Sequence, residues 1–142
     1  MSSAGNGALA GLTGTAAMTA TQAIEMRLSG RPASTVPGQV ASRLLRLHPG
    51  DDAELSRISR GMHWAHGTTH GLVRAGIGAL GLSGTAAAGA HLALLWTSDA
   101  LLYKALGIAD WPWRWTAAEL VPDVLHKGTY ALATSAAFDR LA

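Results

Sequence analysis

The chain has 142 residues, no cysteine, a formal net charge of +2, 49% hydrophobic residues and only 14% charged residues. This length favours one domain, and the lack of cysteine excludes disulfides and thiolate metal sites. The basic residues are not interleaved with aromatic ones, as a nucleic-acid groove requires, so we expect no nucleic-acid partner.

Four apolar stretches, at about residues 5–28, 61–82, 83–108 and 117–138, predict helices. Each has about the 20 residues needed to cross a bilayer, and each is rich in small residues that let helices pack closely in a membrane. The first has no basic leader, so we interpret it as a retained helix and not a secretion signal. The sequence therefore predicts an all-α, integral membrane four-helix bundle, a single membrane domain over residues 1–142.

The polar connection over residues 29–60 carries two local signals. Apolar residues recur at helical spacing over Val36–Leu47, which predicts a short amphipathic helix at a membrane interface. Asp51 and Glu54 form a capping-box pattern, so the second long helix is expected to begin near Asp52.

An internal repeat suggests duplication. GLTGTAA at Gly11–Ala17 recurs as GLSGTAA at Gly81–Ala87, with six of seven positions identical. The repeat predicts two tandem helical hairpins of the same orientation, a parallel repeat. Small-residue pairs on these helices also predict a homo-oligomer formed through Gly/Ala faces.

Charge and tryptophan placement predict the topology. Arginines concentrate in the first connection, and the positive-inside rule then puts both termini outside. Trp111, Trp113 and Trp115 are typical of an aromatic belt at the same interface. We therefore expect a multi-pass protein of the bacterial cytoplasmic (inner) membrane, with the lipid bilayer as a partner.

The stretch HWAHGTTH places three of the six histidines within eight residues. On a helix, His63, His66 and His70 lie within about 60 degrees of one another, and Arg74 continues their line. The other helices also have polar faces, and ionisable groups in a membrane bundle normally point inward. The predicted polar interior therefore includes Glu25, Arg74 and Asp99 beside this histidine stripe.

Three interpretations of this interior compete. It could bind a transition metal, for which the candidate ligands are His63, His66, His70, His91, Asp123 and His126. Alternatively, two histidines on facing helices could hold a haem. In the third interpretation the polar groups satisfy one another without a cofactor. Because Arg74 would repel a cation near His70, the sequence favours a non-enzymatic scaffold or accessory protein, with metal or haem binding as the alternative.

Several segments together resemble a known family. They are GALAGLTGTAAMT, EMRLSGRPASTVP from Glu25, HWAHGTTHGLVR from His63, the Trp113-x-Trp115 pair, and KGTYALAT from Lys127. In this order they are similar to the YagU-like inner-membrane family and to actinobacterial hypothetical membrane proteins. The resemblance implies a four-helix inner-membrane protein, and it brings no established catalytic residues.

Overall fold

The computed structural model describes residues 2–142, which form five α-helices and a short 3₁₀ helix at Pro112–Arg114. This confirms the all-α prediction. The α-helices are α1 (Ser3–Ser29), α2 (Val36–Leu45), α3 (Asp52–Ala79), α4 (Gly84–Ala105) and α5 (Ala117–Leu141).

The four long helices form a ring of neighbours. Helix α1 packs against α3 and α5, and α4 completes the ring by packing against α5 and α3. The short α2 packs on α3. The interior of the bundle is therefore lined by one face of each long helix.

Helices α1 and α3 approach so closely that only glycine fits between them. A Cβ atom added to Gly11 would lie 2.6 Å from Gly67 O, and one added to Gly7 would lie 2.7 Å from Gly71 O. Small residues allow such backbone contact, which larger side chains would prevent. The glycine faces from which self-association was predicted are thus packed against each other within one chain.

The prediction of an integral membrane bundle is wrong. Among the described residues 2–142, no helix joins the length and the apolar character that crossing a membrane requires. The physical reason is composition: Ala, Gly and Thr contribute little transfer free energy, and α3 also carries charged residues from Asp52 to Arg74. The multi-pass placement in the bacterial cytoplasmic membrane, with both termini outside, is wrong for the same reason.

The helix boundaries sharpen several local predictions. Helix α3 begins at Asp52, which confirms the start expected from the Asp51–Glu54 pattern. Asp51 caps the helix: its Oδ1 accepts a hydrogen bond of 2.7 Å from Glu54 N. The short helix predicted at Val36–Leu47 is present as α2. Its predicted place at a membrane interface, like that of the three tryptophans, depended on the rejected membrane placement.

The two repeat copies adopt different structures. Gly11–Ala17 lies inside α1, whereas Gly81–Ala87 includes the turn between α3 and α4 and the first residues of α4. In that second copy Gly81 and Gly84 have positive φ angles of 85° and 58°. Tandem copies of one hairpin therefore do not describe this fold.

Candidate functional site

The centre of the polar interior is a contact between α3 and α4. His66 Nε2 lies 3.0 Å from Asp99 Oδ1, and Asp99 is 3% exposed. Within residues 2–142, His66 Nε2 nonetheless has no partner in hydrogen-bond geometry. The imidazole nitrogen therefore faces the carboxylate at close range without a well-directed hydrogen bond.

His70 joins this pair one helical turn further along α3. Its ring centroid lies 4.5 Å from that of His66. Each of the three residues His66, His70 and Asp99 offers one ligand-type atom, and these three atoms lie within 4.8 Å of one another. His70 Nδ1 is also buried, and the described part of the chain offers it no hydrogen-bond partner. We call His66, His70 and Asp99 the His–His–Asp group.

A lysine from α5 ties this group to a second carboxylate. Lys127 Nζ lies 3.1 Å from Asp99 Oδ2 and 3.0 Å from Asp123 Oδ1. Trp96 Nε1 donates a hydrogen bond of 2.9 Å to Asp123 Oδ2. Tyr103 OH donates a longer one, of 3.4 Å, to Asp99 Oδ2. The far oxygen of Asp99 is thus occupied, while Oδ1 faces the histidines.

Burial and charge act in opposite directions on this cluster. Burial alone would raise the pKa of Asp99, but the facing His66 and Lys127 stabilise the carboxylate and hold that pKa below its ordinary value. Burial would lower the pKa of Lys127, but the acidic groups of Tyr103, Asp99 and Asp123 outweigh it and raise that pKa. Both carboxylate and ammonium are therefore charged at neutral pH.

The deeper imidazoles are held neutral. Burial, with the nearby His66, lowers the pKa of His70 to about 4. Burial, with the nearby His70, also lowers the pKa of His91 to about 4. His91 is fully buried, its ring centroid 6.2 Å from that of His70 and 5.5 Å from that of Tyr130, and the positive charge of Arg74 adds to the effect.

Two other predicted candidates sit nearer the end of the bundle. His63 Nε2 is 3.0 Å from Thr19 Oγ1. His126 Nε2 is 3.8 Å from Glu25 Oε2, beyond hydrogen-bond distance. Glu25 instead pairs with Arg31 at 2.7 Å, and this contact, with one from Ser29, lowers the pKa of Glu25 to about 2.

Arg74 lies in a separate pair beyond His91. It is fully buried, contacts Asp139 through Nη2, and donates a hydrogen bond of 3.0 Å from Nε to Ser135 Oγ. Its guanidinium also lies 4.7 Å from the ring centroid of Phe138. Because Asp139 balances the charge of Arg74, the electrostatic objection to a cation beside His70 is much reduced.

A cavity of about 610 Å³ opens from the His–His–Asp group toward the end of the bundle that α2 covers. His66 and Asp99 are in its wall, together with Lys127, Asp123 and His126. Of the described residues, neither His70 nor His91 lines it. Cavities of about 300–1,000 Å³ with a few converging polar groups are the usual form of small-molecule sites.

The structure therefore groups the predicted residues differently from the sequence. It brings together His66, His70 and Asp99, although Asp99 was predicted only as part of the polar interior. It leaves His63, His91, Asp123 and His126 outside that group. Lys127 was missed as a partner of Asp99, although its spacing of four residues from Asp123 on one helix face was a usable signal.

Comparison with protein family models, curated proteins and solved structures finds no match to this chain. The function is therefore argued from the chemistry of the His–His–Asp group and the cavity.

Proposed function

We propose that this protein binds a divalent transition metal through His66, His70 and Asp99. The observation that carries the proposal is that ligand-type atoms of these three residues lie within 4.8 Å of one another in the bundle interior. Two imidazoles and a carboxylate form the donor set of many Zn²⁺ sites and of non-haem Fe²⁺ sites. Three protein ligands leave at least one coordination position open.

The distances suit an ion after a small adjustment. Two ligands that each lie about 2.0–2.1 Å from a tetrahedral zinc ion are about 3.4 Å apart. His66 Nε2 and Asp99 Oδ1 are 3.0 Å apart, so this pair needs to open only slightly. His70 would close in by side-chain rotation, from within 4.8 Å.

Charge balance supports the same proposal. Asp99 and Asp123 share the single ammonium group of Lys127, which leaves one net negative charge in a largely buried cluster. Buried charge without compensation is costly, and a bound cation supplies that compensation. The lowered pKa of His70 helps because only a neutral imidazole can ligate a metal.

The outer contacts of Asp99 resemble those that support metal ligands in general. Carboxylate ligands are commonly held by hydrogen bonds from neighbouring groups. Lys127 and Tyr103 contact the oxygen of Asp99 that faces away from the histidines.

The test is a Zn²⁺ titration by isothermal calorimetry of the metal-free protein, repeated with Fe²⁺ without oxygen. We expect one ion per chain, and at least a tenfold weaker affinity in His70→Ala and in Asp99→Asn. His48→Ala is the matched control, since His48 is exposed and lies outside the group. Sub-stoichiometric binding by the wild type, or wild-type affinity in folded His70→Ala, would overturn the proposal.

A further inference from the structure

The cavity beside the His–His–Asp group has walls of two kinds. Its inner end presents Asp99, Asp123 and Lys127, which form the charged cluster described above. Arg31, Asp110, Arg114 and Glu119 also line the cavity, and much of the rest of the wall is apolar and comes from all four long helices and α2. Representative apolar residues are Met18, Val40, Met62, Leu95 and Leu102. A molecule with one polar end and an apolar tail matches the inner cluster and the apolar part of this wall.

The polar end is defined by charge. Without metal, the inner cluster has two carboxylates and one ammonium, a net charge of −1. A divalent ion held by the His–His–Asp group changes this to +1. Because the cluster is largely buried, screening is weak and the sign of this charge selects the charge of the ligand.

Further groups at this end favour an anion once the ion is present. The open coordination position accepts an oxygen donor, and carboxylate oxygen is a common zinc ligand. Lys127 is in the wall of the same cavity, and its Nζ lies within 3.1 Å of both carboxylates. His126 Nε2 is buried at the cavity wall, with no hydrogen-bond partner among residues 2–142.

We infer that the metal-loaded protein binds a monocarboxylate with an apolar tail, its carboxylate at the open metal position and its tail along the cavity toward α2. This inference rests on the proposed metal site and names the ligand class that completes it. The tail would lie against Met62 and Leu102 and point toward Val36 and Val40 of α2, which also line the cavity. Helix α2 is held there by Ser59, whose Oγ accepts a hydrogen bond of 3.1 Å from Gly38 N.

The experiment compares three probes on the same protein by calorimetry: octanoate, octylamine with the same tail and opposite charge, and acetate with the same head group and no tail. Each is titrated into Zn²⁺-loaded and metal-free protein, and Zn²⁺ content is measured after every titration. We expect octanoate to bind the loaded protein at least roughly tenfold more tightly than the metal-free protein, given the reversal of charge. It should also bind the loaded protein more tightly than either other probe does.

A cavity-filling variant tests the location. Val36→Trp places an indole in the cavity from α2, a helix that carries none of the three ligands, so it should keep Zn²⁺ and lose octanoate. Leu80→Trp adds the same group at a position that is 82% exposed, and should keep both.

The outcomes separate the two proposals. Equal octanoate affinity with and without Zn²⁺, equal affinity for acetate, tighter binding of octylamine, or unchanged octanoate binding in Val36→Trp each overturns the inference while the metal site stands. Failure of the wild type to take up Zn²⁺ overturns both.

Discussion

Replacing Gly71 by alanine tests the contact that positions α3, the helix that carries both histidines of the His–His–Asp group. A Cβ atom at Gly71 would lie 2.8 Å from Gly11 Cα and Gly11 N, and closer still to Gly7 O. All of these are backbone atoms of α1, so no side-chain rotation can relieve the overlap. The two helices must move apart along a contact where Gly7 and Gly11 also lack space.

The size of the effect follows from two opposing terms. Inserting a methyl group into a packed contact costs about 1–3 kcal/mol, and backbone neighbours place this site at the upper end. Replacing glycine by alanine inside a helix contributes up to about 1 kcal/mol in the favourable direction. We therefore expect Gly71→Ala to lower the free energy of unfolding by about 1–2 kcal/mol.

Urea denaturation followed by circular dichroism measures this difference. Gly76→Ala is the control on the same helix, because a Cβ atom added there has no described atom within 4 Å. It should stabilise the protein by up to about 1 kcal/mol. If Gly71→Ala proved as stable as Gly76→Ala, the close α1–α3 contact would be refuted.

Three further predictions concern the polar interior. Lys127→Met leaves Asp99 and Asp123 facing each other without their shared ammonium, so the free energy of unfolding should fall by about 3–5 kcal/mol. Lys104→Met removes the exposed pair with Asp110 and should change the free energy of unfolding by less than about 1 kcal/mol. Similar values for Lys127→Met and Lys104→Met would contradict the argument that burial strengthens the contacts of Lys127. The pKa of His91 is about 4 in the folded chain against an ordinary value of 6.5. Below pH 6.5 the unfolded chain binds a proton at this imidazole that the folded chain does not. The free energy of unfolding is therefore highest above pH 6.5 and falls as the pH falls toward 4, by at most about 3 kcal/mol. Urea midpoints of metal-free protein measure this loss, and His91→Asn should show a smaller one; an equal loss would exclude His91 as its source. Finally, Zn²⁺ at 100 times its dissociation constant should raise the free energy of unfolding by about 2.7 kcal/mol. EDTA should reverse this increase. A urea midpoint that does not change on addition of Zn²⁺ would contradict binding to the folded state.

The helical architecture could be predicted from local signals. Four apolar stretches of about 20 residues predicted the four long helices. The Asp51–Glu54 pattern predicted the cap of α3, because capping depends on residues three positions apart. The membrane prediction is wrong because these helices have the length to cross a bilayer but not the hydropathy. Ala-rich and Gly-rich helices of about 25 residues are long enough to span a bilayer, but side chains this small make them only weakly apolar.

The alignment of the histidines on α3 could be predicted from the sequence, but their partners on other helices could not. Residues four apart on one helix share a face in any fold, so the alignment of His66 and His70 follows from the sequence alone. Which carboxylate meets them depends on the order of helices around the bundle, and that order placed Asp99 of α4 there. Asp123 lies on the polar face of α5, yet it contacts Lys127 and Trp96 instead.

The sequence by itself determined the helices, the polar face of each, and the glycines that let α1 and α3 meet, because these depend on spacing along the chain. Only the tertiary structure decided which polar faces converge, that Asp139 balances Arg74, and that the helices leave a cavity of about 610 Å³ beside His66 and Asp99. The physical reason is that pairing between helices depends on side-chain packing across the whole bundle. Residues that are distant in sequence become neighbours only when their helices pack against each other.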